Sequence, residues 1–323
     1  MTRKILYLSR ADVEAVGVSM EQIIASVEEM FREKGKGLTE MPPKPGIHPR
    51  PDSFIHAMPA YIPSLKSAGM KWVGGFPDNI GKGLPYISGL IILNDPETGF
   101  PLCVMDCTWI TAKRTGAATA VAARYLARPD SRVIGILGCG VQGRSNLEAL
   151  RVLYHIERVL AYDIRPEASG IFAKEMSLEL SLEVRPVKTP REAVAGCDIV
   201  VTAGPILKVP HATIQPGWLE PGAFASMVDF DSYWHRAALR EADKFCTDDT
   251  PQLEYYKTIG YFQNIPPVYA ELADLVTKKK PGRENPRERT IACNLGLALD
   301  DIATAPLVFE RAVDKKQGTW LSL

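Results

Sequence analysis

The sequence has no excess of charge of either sign and no long apolar run. Its 38 lysine and arginine residues balance its 38 aspartate and glutamate residues, whereas proteins that bind nucleic acid usually carry a strong basic excess. No apolar run reaches the roughly 18 residues that suggest a membrane-spanning helix. We therefore expect neither a nucleic-acid partner nor a membrane, and the composition favours an enzyme or binding protein for small molecules.

Cysteine and histidine are scarce and scattered along the chain. The six cysteines lie mostly in apolar, strand-like runs, which is typical of reduced thiols and indicates a cytoplasmic protein. Cys103 and Cys107 are near each other, but no second pair of cysteines or histidines completes a zinc site, so we expect no metal. The five histidines are isolated from one another, and no Ser-His-Asp or Cys-His arrangement for nucleophilic catalysis is visible.

Two different patterns follow each other along the chain. Residues 1–110 are typical of an α+β unit built on hairpins, with a capping box at Ser19 and Gln22 before a helix that extends to about Lys34. In the middle of the chain, apolar strands alternate with helical stretches, which predicts a parallel, doubly wound sheet. The strands are 133–137, 159–162, 199–202 and 224–228, and the helices are 142–154, 166–178 and 190–195.

A glycine motif follows the first of these strands. Gly138, Gly140 and Gly143 fit the dinucleotide fingerprint, which needs glycine for a tight turn, for approach of the backbone to a pyrophosphate and for close helix–strand contact. The helix that opens near Val141 and Gln142 offers unpaired N–H groups to the phosphates.

The next strand ends at Asp163, the position at which a carboxylate holds the adenosine ribose. This carboxylate favours NAD over NADP because it repels a 2′-phosphate. Arg165 leaves NADP open, since it could accommodate that phosphate.

Several charged residues are candidates for substrate chemistry. Lys71 lies in an apolar strand, where it is paired or functional if buried, or points to solvent if the strand is half-exposed. Arg114 has a guanidinium fork that suits a carboxylate, although it could equally be a surface arginine at a helix start. Asp229 and Asp231 follow the apolar strand 224–228. They share a face if the strand continues; otherwise one lies in the loop, and one could cap a helix.

The chain resembles the ornithine cyclodeaminase/mu-crystallin family in motifs that occur in the family's order from about residue 20 to 315. These motifs are Met58-Pro59-Ala60-Tyr61, Gly69-Met70-Lys71, Asp95 to Gly99, Val104-Met105-Asp106, Thr111-Ala112-Lys113-Arg114-Thr115-Gly116-Ala117, Gly138-Cys139-Gly140-Val141-Gln142-Gly143 and Gly296-Leu297-Ala298-Leu299-Asp300-Asp301-Ile302-Ala303.

The resemblance implies a homodimer of class α/β, with a Rossmann-type doubly wound parallel sheet and a discontinuous α+β domain for substrate binding and dimerisation. We place the α+β domain at residues 1–113 and 305–323 and the dinucleotide-binding domain at residues 114–304. Lys71 and Arg114 match the family residues that hold the substrate carboxylate, and Asp231 matches the acid/base aspartate. We also assign Thr115 and Thr202 to the cofactor site.

Two departures from the family pattern bear on the substrate. Lys44 stands at or near a position that is usually arginine, and a lysine cannot provide a two-pronged fork. His56 stands where the cyclodeaminases proper have a glutamate. The cofactor loop, followed by Leu147-Glu148-Ala149-Leu150, resembles that of the archaeal alanine dehydrogenases. We therefore predict an NAD(P)-dependent oxidoreductase that acts on the C–N bond of a small amino or imino acid. The alternatives are a cyclodeaminase and a non-catalytic binding protein like mu-crystallin.

Overall fold

The computed structural model describes residues 3–323, apart from the side chain of Ile80. The helices are α1 (Arg10–Ala15), α2 (Met20–Gly35), α3 (Thr108–Leu126), α4 (Val141–Leu153), α5 (Pro166–Leu180), α6 (Arg236–Leu239), α7 (Thr250–Thr258), α8 (Leu272–Val276) and α9 (Ala298–Asp314). The strands are β1 (Lys4–Leu8), β2 (Gly46–Ile47), β3 (Phe54–Ile62), β4 (Ser67–Gly75), β5 (Ile87–Asn94), β6 (Pro101–Asp106), β7 (Val133–Leu137), β8 (Arg158–Tyr162), β9 (Glu183–Pro186), β10 (Ile199–Thr202), β11 (Phe224–Met227), β12 (Lys244–Thr247), β13 (Ala270–Glu271), β14 (Thr290–Cys293) and β15 (Thr319–Ser322).

The first compact unit comprises the described residues up to Arg114 together with residues 297–323. Its sheet has seven strands in the order β15-β1-β6-β5-β4-β3-β2, and every neighbouring pair except β1 and β6 is antiparallel. Helix α9 packs on β3, β4 and β5, and α2 packs on α9. One face of the sheet is therefore buried beneath α9, and it is the face that carries Lys71.

The second compact unit comprises residues 115–296. Its eight strands are all parallel, in the order β13-β12-β14-β11-β10-β7-β8-β9. The direction of strand order reverses between β7 and β10, and ligands of such sheets bind at the carboxyl ends of the strands at this point. The predicted α/β class with a Rossmann-type sheet is confirmed.

Local signals explain most of the element boundaries. The Ser19 hydroxyl accepts a hydrogen bond from the Gln22 N–H, and the Gln22 side chain accepts one from the Ser19 N–H. This is the predicted capping box, and α2 begins directly after it.

No described helix is both long enough and apolar enough to cross a membrane.

Two predicted boundaries differ from the structure. Residues 190–195 form turns rather than a helix. Thr189 and Glu192 do make the expected capping contacts, but the segment ends at Gly196, which has a left-handed φ of 76°, before a helix can propagate. The predicted return to the first domain at residue 305 falls inside α9, whereas the units change at Leu297, the N-cap residue of this helix.

Candidate functional site

Lys71 lies on the buried face of the first unit's sheet. It is directly opposite Met58 on β3 and Ile91 on β5, and both of these neighbours are buried. Its own side chain is 1% exposed, so the alternative in which Lys71 points to solvent is wrong. A buried ammonium requires a partner of opposite charge, and α9 supplies one.

The partner of Lys71 is Asp301 on α9. Its Oδ2 atom lies 2.6 Å from the Lys71 Nζ atom, and the side chain of Asp301 is fully buried. Lys71 also donates a hydrogen bond of 3.4 Å to the Thr111 hydroxyl on α3. The ammonium is therefore fixed by two different helices and has little freedom to change its position.

Arg114 on α3 binds the same helix with two prongs of its guanidinium. Its Nε atom donates to Oδ1 of Asp301 at 3.0 Å, and its Nη1 atom donates to Oδ2 of Asp300 at 3.3 Å. Arg114 is 5% exposed, so the alternative of a surface arginine is also wrong. Asp301 thus bridges the two cations, with one carboxylate oxygen on each.

Burial governs the electrostatics of this cluster. It raises the pKa of Asp300 to about 6, although Arg114 and the Leu297 N–H oppose this rise. Burial and the neighbouring charge of Arg114 lower the pKa of Lys71, while Asp301 acts in the opposite direction. The cations predicted to bind a carboxylate are therefore largely compensated within the protein.

Lys44 and His56 lie in the same unit. Lys44 is buried, and His56 is half-buried on β3 with its ring stacked on Phe54 at a centroid distance of 4.3 Å. Burial lowers the pKa of His56 to about 3, and the charges of Lys44, His48 and Lys71 contribute. The imidazole is therefore neutral at physiological pH, and it is close enough to Lys44 and Lys71 to respond to their charges.

In the second unit, the three glycines of the fingerprint meet three different environments. A Cβ atom on Gly138, whose φ is 101°, would overlap the Ala203 carbonyl, and one on Gly143 would overlap the Gly138 carbonyl. A Cβ atom on Gly140 would meet no atom within 4 Å. Gly138 and Gly143 are thus required by the protein's own packing, whereas Gly140 leaves room for a ligand to approach the backbone.

The start of α4 is suited to a phosphate. Its N-cap is Gly140, which provides no side-chain cap for the first N–H groups of the helix, so those donors and the positive end of the dipole remain for an anion. Val141 is 61% exposed at this end, and Gln142 is half-buried. The donor set fits the pyrophosphate of a dinucleotide.

Asp163 follows β8 and closes the glycine loop. Its Oδ2 atom accepts a hydrogen bond from the Cys139 N–H, and its Oδ1 atom accepts one from the Arg165 N–H, both at 3.0 Å. A carboxylate has about four acceptor positions, so capacity remains for ribose hydroxyls. The Arg165 side chain is 63% exposed, with its Nε atom 3.6 Å from Asp163. Ile164 between them is 85% exposed and offers an apolar surface that the sequence analysis missed.

Asp229 and Thr202 are joined by a hydrogen bond at the carboxyl ends of β10 and β11. The Thr202 hydroxyl donates to Oδ1 of Asp229 at 2.6 Å, and the Gly204 N–H donates to Oδ2 at 2.9 Å. Thr202 is fully buried, and its hydroxyl also accepts a hydrogen bond from the Trp234 indole. Its side chain therefore holds Asp229, and its assignment to the cofactor site stays a prediction. Thr115, also assigned to the cofactor site, is buried within α3.

Asp231 is placed differently from Asp229, because β11 ends before both residues and Phe230 between them has a left-handed φ of 61°. Asp231 is 4% exposed, and its Oδ1 atom has no hydrogen-bond partner among the described residues. Burial raises the pKa of this carboxyl group, against the effect of the N–H groups of Asp231 and Phe262. A buried carboxyl with an unengaged oxygen and a raised pKa is suited to proton transfer.

The aspartates of α9 are the functional candidates that the sequence analysis did not identify. Asp300 and Asp301 belong to a family motif in the sequence, but no role was predicted for either residue. The available signal was a pair of adjacent acids inside an apolar helical run, since acidic residues are almost never fully buried unless they are paired. Both are fully buried in the structure.

Comparisons with known proteins agree with this architecture. The chain is 36% identical to the alanine dehydrogenase of Archaeoglobus fulgidus, over 97% of each chain. The structure of Thermococcus litoralis Δ1-pyrroline-2-carboxylate reductase, in complex with NADH and L-proline, matches with 37% identity and a TM-score of 0.88, over 98% of this chain and 99% of that one. An archaeal alanine dehydrogenase dimer with bound NAD matches with 35% identity and a TM-score of 0.89, over 99% and 100%.

The sequence model of one protein family matches residues 3–316, which includes both compact units. The predicted family is therefore confirmed: the chain belongs to the ornithine cyclodeaminase/mu-crystallin family.

Proposed function

We propose that the protein is an NAD-dependent oxidoreductase that moves a hydride between the nicotinamide and the Cα atom of a small amino acid or cyclic imino acid. The observation that carries this proposal is the buried pair of cations, Lys71 and Arg114, held by one carboxylate in a chain with a complete dinucleotide loop. The alanine dehydrogenase and the pyrroline-2-carboxylate reductase described above support the same class of reaction.

In this proposal the first unit recognises the substrate carboxylate. Lys71 and Arg114 would hold this carboxylate, and Lys44 is a further cation buried in the same unit. The fixed positions of Lys71 and Arg114 reduce the cost of orienting the substrate. The neutral ring of His56 adds a polar but uncharged group, which suits a substrate without a second ammonium.

The second unit holds the cofactor and transfers protons. The N–H groups at the start of α4 would bind the pyrophosphate, and Asp163 would bind the adenosine ribose. When bound, NAD supplies the hydride acceptor, and NADH the donor. Asp231 would take a proton from the water that hydrolyses the imine, or give one to the imine nitrogen in the reverse direction, through its Oδ1 atom.

We also propose a homodimer, formed through the face of the first unit's sheet that lies opposite α9. Lys71 points towards α9, so the side chain of Trp72 points away from it. Trp72 is 44% exposed, and Leu90 directly across from it on β5 is 41% exposed. Such exposed apolar residues on one face are typical of an interface, and the archaeal alanine dehydrogenase is a dimer. The six cysteines are free and buried, which is consistent with a cytoplasmic location.

The experiment that tests the proposed function follows NADH absorbance with L-alanine, L-proline and L-ornithine, and with pyruvate plus ammonia and Δ1-pyrroline-2-carboxylate in the reverse direction. Net formation or consumption of NADH supports the proposal. Ammonia release from L-ornithine without net NADH would identify a cyclodeaminase instead. Tight binding of these compounds without turnover would identify a binding protein.

A further inference from the structure

Phe230 has an unusual backbone conformation at a critical position. It stands between Asp229 and Asp231 with a φ of 61°, in the left-handed region that bulky residues rarely occupy. Strain of this kind persists only where the surrounding structure enforces it, and it occurs often at functional sites. The contacts around Phe230 therefore bear on the site that it adjoins.

The ring of Phe230 is enclosed by three aromatic side chains from α7 and the loop that follows it. The centroid distances are 5.0 Å to Tyr256, 5.6 Å to Tyr261 and 4.8 Å to Phe262. The contacts to the tyrosines are edge-on, at 62° and 89°, and the contact to Phe262 is tilted at 43°. These geometries are favourable for aromatic pairs, and Phe230 is 3% exposed.

Phe262 packs on the ring of Phe230 and lies near the Asp231 carboxyl group. Its own backbone is left-handed, with a φ of 55°, and its side chain is 1% exposed. Its N–H group acts on the Asp231 carboxylate. The ring contact between Phe230 and Phe262 therefore joins two residues in unusual conformations, one that precedes Asp231 and one whose N–H faces it.

We propose that Phe230 and Phe262 form an aromatic clamp that positions Asp231, fixing the direction of its carboxylate and shielding it from bulk water on the side of the rings. The inference rests on the proposed role of Asp231 in proton transfer. In the clamp, Phe230 and Phe262 are positioning residues that act through Asp231. The hydrogen bonds of Asp229 are separate from the clamp, since its partners are Thr202 and Gly204.

The test compares Phe230→Leu and Phe262→Leu, which keep an apolar side chain but remove the ring contact, with Phe245→Leu. Phe245 is a buried residue of β12 outside the aromatic cluster, so its substitution controls for a general loss of packing. The first measurement is hydrogen–deuterium exchange of a peptide spanning residues 259–264. The second is the pH profile of kcat, with the compound among L-alanine, L-proline and L-ornithine that turns over.

The clamp predicts faster exchange at Phe262 in Phe230→Leu, by about tenfold, and a kcat about 10–100 times lower in both clamp variants. Hydration of Asp231 moves the acidic inflection of the profile down by about one pH unit, because desolvation is what raises the pKa of this carboxyl. Phe245→Leu leaves the inflection in place. The clamp is refuted if both variants fold and keep the wild-type kcat, inflection and exchange.

Asp231→Asn separates this result from a failure of the proposed function. If Asp231→Asn keeps its activity, Asp231 has no role in proton transfer and the clamp fails with it, whereas the net turnover of NADH still supports the proposed oxidoreductase. If Asp231→Asn is inactive while the clamp variants behave like the wild type, only the clamp fails. Should Phe230→Leu not fold, Phe262→Leu decides the question, since its exchange and pH profile are measured independently.

Discussion

The Nζ atom of Lys71 lies 2.6 Å from Oδ2 of Asp301, and the other oxygen of the same carboxylate accepts a hydrogen bond from Arg114 at 3.0 Å. One residue of α9 therefore fixes a cation on β4 and a cation on α3. The relationship gives Asp301 a larger role than charge compensation, because both proposed carboxylate-binding groups depend on it for their position.

The first prediction concerns Asp301→Asn. The substitution leaves Lys71 and Arg114 buried without the charge that bridges them, and removal of one partner from a buried ion pair costs about 3–5 kcal/mol. We expect a correspondingly lower free energy of unfolding in urea, and kcat/KM about 100 times lower in the variant that remains folded. Asp314→Asn is the matched control, since Asp314 is an exposed carboxylate on the same helix. Equal stability and kcat/KM of the variant and the wild type would contradict the bridging role.

The second prediction concerns Arg114→Lys. A lysine keeps the charge but cannot bind Asp300 and Asp301 with two prongs as the guanidinium does. We expect KM for the carboxylate substrate to rise about 10–100-fold, with a smaller effect on kcat, in steady-state kinetics. Arg124→Lys, an exposed position near the end of the same helix, should behave as wild type. An unchanged KM in Arg114→Lys would exclude a two-pronged role for Arg114.

The third prediction separates two glycines of the cofactor loop. A methyl group on Gly140 meets no protein atom within 4 Å, whereas one on Gly143 overlaps the Gly138 carbonyl. We therefore expect Gly140→Ala to melt like the wild type but to bind NAD at least about tenfold more weakly, as measured by fluorescence titration. Gly143→Ala should be less stable without cofactor, by about 1–3 kcal/mol.

Gly170→Ala is the control for these variants, since Gly170 lies in α5 and a methyl group there also meets no atom within 4 Å. It should stabilise the helix slightly and leave the affinity for NAD unchanged. Wild-type affinity in Gly140→Ala would show that the pyrophosphate does not approach this residue.

The fourth prediction concerns the pH dependence of stability. Burial raises the pKa of Asp229 to about 7, above the value of about 3.9 in an unfolded chain. Its contribution to stability is therefore complete below about pH 4 and is lost as the pH rises through 7, because the folded protein must then ionise a buried group. Each pH unit between these values is worth about 1.4 kcal/mol, so the loss is on the order of 4 kcal/mol.

Asp229→Asn cannot ionise and should not show this loss. The unfolding free energy of the wild type should therefore fall relative to that of the variant between pH 4 and 7.5. Both are measured by urea unfolding at several pH values. The exposed Asp130 of the same unit provides the control substitution Asp130→Asn, which removes a carboxylate that is not buried. A constant difference between the wild type and Asp229→Asn would show that Asp229 titrates normally.

Features set by neighbouring residues could be predicted from the sequence. The Ser19 capping box, the glycine loop and the alternation of strands and helices depend on residues within a few positions of one another, and the structure contains all of them. The same kind of signal failed at residues 190–195, since capping contacts at Thr189 and Glu192 do not ensure that a helix continues beyond its first turn.

Features set by long-range contacts could not be predicted. Nothing near Lys71 in sequence indicates that Asp301 is its partner, so the compensation of the Lys71 and Arg114 charges by α9 could not be predicted. Phe230 has a left-handed φ, and its ring packs on Tyr256, Tyr261 and Phe262, which are distant in sequence. Strand alternation alone therefore could not determine how Asp229 and Asp231 are directed.

The most direct test of the proposed hydride transfer is to follow the hydrogen on the substrate's Cα atom. The protein is incubated with NAD and L-alanine, L-proline or L-ornithine deuterated at Cα, and the NADH and amino-acid fractions are analysed by mass spectrometry. We predict deuterium in NADH, in a one-to-one ratio with the oxidised product, for at least one substrate. Deuterium retained in a cyclised amino acid with no net NADH, or no transfer from any of the three, would contradict the account.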